Sequence, residues 1–432
     1  MNAFDRTDPV YSEYIRILAA ELIPATGCTE PIAIAYGAAK VRQVLGALPE
    51  SCQVEASGNI IKNVKSVVVP NTGHLRGIEA AAAAGIVAGD PDVQLQVISH
   101  VSQEDQAAIR TYLETHPVEV IPAQNGKVFY IALNVRAGQD TARVVIENFH
   151  TNITRIERNG ECLFEQPEGE EEIAHDQLLN YDLLNVQEII DFADNVDLKD
   201  VEALLTRQIE CNTAISQEGL THPWGACIGQ TLLQAQGKDV RVRAKAAAAA
   251  GSDARMSGCE MPVVIVSGSG NQGMTASLPV IEYAKELNAS QEKLLRALAV
   301  SNLVTIHQKT SIGRLSAFCG AVSAGCGAAA GIAYLKGEGY DVIAHTIVNT
   351  LAILSGMVCD GAKPSCAGKI AMAVEAGLMG YEMYTHGKNQ FHSGEGIVKK
   401  GVDNTIRTVG RMAREGMRDT DREILSIMTE NC

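Results

Sequence analysis

VFYIALNV (residues 128–135) and ARVVIENF (142–149) are runs rich in β-branched and aromatic side chains. Such runs, bounded by Gly, Pro and Asn turns, read as strands of one sheet. Working outward, SVVVP (66–70), VQLQVIS (93–99) and VEVIP (118–122) have the same texture, and IEAAAAAGIVAG (78–89) places at least one helix among them. The β-rich stretch extends from about Cys52 to Phe164 and predicts an α/β unit over residues 51–165.

On both sides the apolar spacing becomes helical. YSEYIRILAAELI (11–23) and PIAIAYGAAKVRQVLG (31–46) repeat at helical intervals with a break at ATGCTE (25–30). Downstream, VQEIIDFADNV, DVEALLTRQIECNTAISQEG, LPVIEYAKEL, KLLRALAVSNLVTIHQ and NTIRTVGRMAREGM are helical in pattern and punctuated by Gly-rich turns. The acidic run EQPEGEEEIAHD (165–176) reads as a solvated linker at the boundary. The fold expected is α+β: a mainly α-helical domain (166–432) with an inserted α/β domain (51–165), and N-terminal helices (1–50) that return to the helical part. No repeat of solenoid length is evident.

Bulk composition narrows the function. The chain has 432 residues, 51 acidic against 36 basic side chains and a formal charge of −15, with no basic block, so a nucleic-acid partner is not expected. Aromatic residues are 4% of the chain while Gly and Ala abound, which suits close helix packing and small polar substrates better than stacked bases or sugars. The N-terminus lacks the basic-then-apolar pattern of an export signal, and eleven cysteines, an odd number, then favour reduced thiols and a cytoplasmic protein. Two apolar stretches, 318–335 and 341–359, are near or below the ~20 residues of a membrane span. Small residues dominate the first, and His345 and Asn349 interrupt the second, so both are expected as core helices and no membrane association is expected.

Five polar, Gly-rich loops fall in the helical part: SDARMSG (252–258), VSGSGNQGM (266–274), KTSIGRLSAFCG (309–320), CDGAKPSCAG (359–368) and HSGEGIV (392–398). Loops between packed helices can converge on a pocket, where Gly admits close backbone approach. GSGNQG lacks both the Walker lysine and a dinucleotide fingerprint, yet suits an anion such as a carboxylate, with Ser269, Asn271 and Gln272 as donors. Cys319 and Cys326 are seven apart, and Cys359 and Cys366 flank a turn. Neither spacing is that of a zinc ribbon, leaving an iron–sulfur cluster or buried, hydrophobe-like cysteines. Cys28 precedes a helix opened near Pro31, where the helix dipole can depress a thiol pKa. It could be a base, a nucleophile or a ligand, beside Thr29 or Glu30 as helix cap.

Together, GCTEP (27–31), SQEGL (216–220), SDARM (252–256), GSGNQG (268–273), RLSA (314–317) with Cys319, CDGAKPSCA (359–367) and GEGIV (394–398) resemble the L-cysteine desulfidase family, which is related to the catalytic chain of iron–sulfur L-serine dehydratases. The resemblance implies an enzyme without pyridoxal phosphate that eliminates the β-substituent of a small amino-acid substrate, with a [4Fe–4S] cluster in the 166–432 domain. It implies Cys319, Cys359 and Cys366 as cluster ligands and Cys28 as proton acceptor, with Gly268, Ser269, Gly270, Asn271 and Gln272 around the substrate carboxylate. Three protein ligands for four irons leave one iron free to act as a Lewis acid. The remaining cysteines, Cys326 among them, default to structural roles.

The reaction implied is β-elimination of L-cysteine to pyruvate, ammonium and sulfide. The same chemistry on L-serine, a pyridoxal phosphate lyase using Lys309 or Lys363, and a non-catalytic iron–sulfur redox sensor are the alternatives. The sequence leaves a homo-oligomer, and the role of the α/β domain, open.

Overall fold

The structure, a computed structural model, describes residues 6–167, 179–313 and 315–429. It is mainly helical with one mixed six-stranded sheet, an α+β protein as expected. In sheet order the strands are Val118–Pro122, Ser51–Ala56, Tyr130–Ala137, Asp140–Glu147, Ile153–Arg158 and Glu161–Glu165. Val118–Pro122 runs parallel to Ser51–Ala56, and every other pairing is antiparallel. Burial alternates strictly along Ser51–Ala56, so Cys52, Val54 and Ala56 face the core. They pack with Leu133, Val144 and Ile146 against the Thr29–Leu45 and Gly77–Ala88 helices.

The two runs that anchor the sheet reading are both strands, but SVVVP and VQLQVIS are not. Val67, Val68 and Val69 are buried, yet Pro70 offers no N–H and the run makes only a bridge from Val68 to Arg76. In VQLQVIS, Asp90 accepts from Asp92 N–H and Pro91 opens a 3-10 turn over Pro91–Gln96. That local geometry overrides the alternation, and only Val97 and Ile98 end up buried. Most of the acidic run at 165–176 lies outside the described residues, as does Arg314 of RLSA.

The N-terminal helices divide between two cores. In Pro9–Glu21, capped by Asp8, Tyr11 and Tyr14 set their rings 5.6 and 5.4 Å from Phe192 within the helical core. Thr29–Leu45 instead joins the core under the sheet. The chain therefore passes from one core to the other through residues 22–28. A short strand there, Pro24–Thr26, pairs antiparallel with Pro262–Val264.

The helical part is built around Gln291–Ile312, Gly320–Leu335, Tyr340–Leu354 and Cys366–Gly387. Small residues let these helices touch backbone to backbone. A Cβ on Gly325 would stand 2.6 Å from the Ala373 carbonyl carbon, and one on Gly377 2.6 Å from the Gly325 oxygen. The two apolar stretches at 318–335 and 341–359 hold such core helices. Among the described residues no helix is long and apolar enough to cross a membrane.

Candidate active site

A cavity of about 130 Å³ opens where the helical part meets the sheet-bearing part, and Cys28, Cys319, Cys359 and Cys366 all line it. Gly268, Ser269, Asn271 and Gln272 line the same cavity, so residues separated by more than three hundred positions meet there. Gly270 stands one step back, at the first position of the Gly270–Glu286 helix.

Local pairing explains the convergence. The Pro24–Thr26 and Pro262–Val264 strands lay Cys28 beside the loop that follows them. There Val266 and Ser269 exchange backbone hydrogen bonds across Ser267 (φ 48°) and Gly268 (φ 78°), a tight primed turn. The Ser269 hydroxyl then accepts from Gln272 N–H at 3.4 Å and caps the helix. A second bridge, Phe318 to Val358, aligns the cysteine loops. Asp360 ion-pairs with Lys363 inside the CDGAKPSC turn and with Lys369 in the helix that follows, and Lys369 Nζ also donates to the Val358 carbonyl at 2.7 Å. That turn delivers Cys366 to the start of its own helix.

Four helix N-termini consequently point at one cavity: Cys28 caps Thr29–Leu45, Ser269 caps Gly270–Glu286, Cys319 caps Gly320–Leu335, and Cys366 opens Cys366–Gly387. Each N-terminus carries about half a positive charge and unsatisfied N–H groups, so the site attracts anions. The thiols of Cys319 and Cys359 interact and shift in opposite directions: its neighbour and burial raise Cys319, while Cys319, with Lys62 and Lys369 nearby, lowers Cys359. Cys366 Sγ contacts the Gly361 carbonyl at 3.7 Å, and burial raises its pKa.

Cys28 departs from the expectation of a depressed pKa. It is buried at its helix cap, and that burial pushes the thiol up to about 11, with Arg255 pulling it down and Glu30 pushing it up. Desolvation of the thiolate outweighs the pull of Arg255.

Among the described residues no three His, Cys, Asp or Glu side chains converge closely enough to hold a single metal ion. Ligands to a cluster attach to different irons, a looser demand. Cys319, Cys359 and Cys366, three thiols in a cavity ringed by helix N-termini, are a donor set that fits an iron–sulfur cluster.

Not every motif arrives. HSGEGIV (392–398) was expected among the converging loops but lines a separate surface pocket with Tyr340 and His345. SQEGL lies inside the Glu202–Thr221 helix, where Ser216 Oγ donates to the Ala247 carbonyl and Gly219 packs on Ala250. Cys326 is buried away from the cavity, its Sγ 3.8 Å from the Ile347 carbonyl and its pKa raised to about 12. Conversely, Asn63, Phe129, His150 and Arg255 line the cavity without having been singled out. Glu30 lines it too, and neither it nor Thr29 is the helix cap: both lie inside the first turn, and Cys28 holds the cap position. Arg255 sits in SDARM, at the end of a helix that also carries Arg241, Arg243, Lys245 and Asp253, so its charge alone did not mark it out.

Fold and site together define a mainly helical α+β protein with a thiol-lined, anion-attracting cavity. The family model described as the serine dehydratase alpha chain matches residues 92–426, and the chain belongs to that family. The match contains the 268–272 loop and Cys319, Cys359 and Cys366, while Cys28 precedes it. Similarity to individual relatives covers nearly the whole chain. A UPF0597 protein of Desulfitobacterium hafniense is 57% identical over 428 residues, 99% of each chain. Another, of Lachnoclostridium phytofermentans, is 51% identical over 419 residues, 97% of this chain and all of the relative. A third, of Finegoldia magna, is 47% identical over 424 residues, 96% of this chain and 99% of the relative.

Proposed function

We propose that this protein is a lyase that converts L-cysteine to pyruvate, ammonium and sulfide by β-elimination, with Cys319, Cys359 and Cys366 holding a [4Fe–4S] cluster. The observation that carries the reading is the meeting of Cys28 with those three cysteines and the 268–272 loop in one cavity. The bound cluster would supply Lewis-acid stabilisation of charge on the departing sulfur.

The chain's own residues do the rest. The N-terminus of Gly270–Glu286, with Asn271 and Gln272, binds the substrate carboxylate and fixes the orientation of Cα. Cys28 accepts the Cα proton. Burial holds it as a thiol at rest, so its own proton must first leave to solvent, and Arg255 favours the thiolate that results. Loss of the Cα proton and of the β-sulfur gives aminoacrylate, which tautomerises and hydrolyses to pyruvate and ammonium. The helical part with its inserted α/β unit serves in this reading as the catalytic body. Phe129 and His150 line the cavity, so the α/β unit contributes to its wall.

Dehydration of L-serine is the second reading, favoured by the family model's own description. The cysteine within GCTEP favours L-cysteine. Anaerobically purified protein assayed for pyruvate with each amino acid separates the two. Release of sulfide equal to pyruvate, with L-cysteine the better substrate, is the expected result, and pyruvate from L-serine alone would replace the first reading with the second.

A further inference from the structure

Arg255 is 5% exposed at the end of the Val240–Met256 helix, and its guanidinium lines the cavity. A guanidinium is always charged, and burying it without an anion is costly. Among the described residues no carboxylate pairs with it. The cavity's own acid, Glu30, instead accepts from Asn63 Nδ2 at 3.2 Å and Thr29 Oγ1 at 3.3 Å. Arg255 is nonetheless held firmly. Nη2 donates to the Gly27 carbonyl at 2.9 Å and Nη1 to Asn271 Oδ1 at 3.3 Å. Nε makes no hydrogen bond and faces Gly270, where any Cβ would collide with it. Of the five N–H donors of a guanidinium, two are used and that of Nε is shut against Gly270, which leaves one on each terminal nitrogen for a carboxylate to accept. The N-terminus of Gly270–Glu286 adds donors beside it.

We propose that Arg255 is the carboxylate anchor of the site and the residue that restricts it to substrates bearing a free carboxylate. This rests on the reading of the substrate as an α-amino acid and refines it: the 268–272 loop positions the guanidinium through Gly270 and Asn271, and the guanidinium supplies the charge. Because Arg255 grips the carbonyl of Gly27, one residue before Cys28, the anchored carboxylate sets Cα beside the Cys28 thiol.

The test is calorimetric binding of 3-mercaptopropionate and its neutral amide to the anaerobically prepared full chain. The wild type should bind the acid about 10- to 100-fold tighter than the amide, the range for a hydrogen-bonded charge pair. Arg255→Gln should abolish that preference and Arg255→Lys should retain part of it. Equal affinity of the wild type for acid and amide, or binding of neither, overturns the proposal without any variant, so it stays testable even where Arg255→Gln fails to fold. An undiminished preference in folded Arg255→Gln overturns it as well. Pyruvate assays on the same preparations separate the two claims. Acid preference without turnover of L-cysteine removes the activity and keeps the anchor, whereas turnover without acid preference removes only the anchor.

Discussion

The backbone N–H of Cys359 donates to the carbonyl oxygen of Ala317 at 2.6 Å, two residues before Cys319, whose own N–H donates to Met357 at 3.0 Å. Two loops forty residues apart are thereby tied so that their thiols line one cavity, and the next helix brings Cys366 to it. We expect anaerobically prepared protein to contain about four irons and four sulfides per chain. Cys319→Ser, Cys359→Ser and Cys366→Ser should each strip most of the iron, measured by iron analysis and visible absorbance. Cys326→Ser, altering a thiol packed against Ile347, should leave both unchanged. Full iron retention in all three ligand variants would end the ligand assignment.

The 268–272 loop makes a different forecast. Asn271 and Gln272 line the cavity but present amides, not metal donors, and the Gln272 side chain lies against Gly320, where a Cβ would stand 2.6 Å from its Cδ. Asn271→Ala should raise KM for the amino acid by about tenfold, the worth of one hydrogen bond to a charged group. Iron content should stay near wild type. Gln272→Ala should act in the same direction. Unchanged kinetics in both variants would reduce the loop to a turn.

How much of this was legible beforehand follows from what each element depends on. The strands Tyr130–Ala137 and Asp140–Glu147 and the long helices carry their period in their own residues. The Val67–Val69 run does not: its valines are buried as a strand's would be, but the choice between a strand and a packed loop is made by neighbours such as Pro70 and Arg76. At the site, the cysteines and the Gly-rich loop announce themselves by residue type. Arg255, His150 and Phe129 do not, since nothing local distinguishes a cavity-lining side chain from a buried one before the two cores close on each other. HSGEGIV failed for the converse reason, being a loop of the right composition at a different place on the helical part.

A pH dependence of stability should come from Asp403. Its carboxylate accepts from His307 Nε2 at 2.9 Å and Val186 N–H at 3.1 Å, joining three helices. Burial works against its charge, but these donors hold its pKa below the ordinary carboxylate range. A carboxyl depressed in the folded state contributes fully above its unfolded pKa of ~3.9, and the contribution is lost as pH falls through the folded value. Asp403→Asn should therefore cost about 1–3 kcal/mol at pH 7. The difference from wild type in urea unfolding should shrink below pH 4, and a difference constant down to pH 2 would remove the carboxylate as its source.

Cys28 separates base from ligand most sharply, because it caps its helix beside Cys366 while its thiol is held protonated by burial. As the base, Cys28→Ala should keep iron content and the visible spectrum while turnover falls roughly 10²–10⁴-fold, the scale of losing a positioned proton acceptor. Exchange of the substrate Cα proton with deuterated solvent should fall with it. Because a thiol raised to about 11 is mostly protonated at neutral pH, wild-type turnover should climb as pH rises from 7 toward 9, and Cys28→Asp should shift that climb to lower pH. As a fourth ligand, Cys28 would instead change the spectrum when replaced. An intact spectrum with near-normal turnover would leave neither role, only a buried thiol packed against Val67 and Met256.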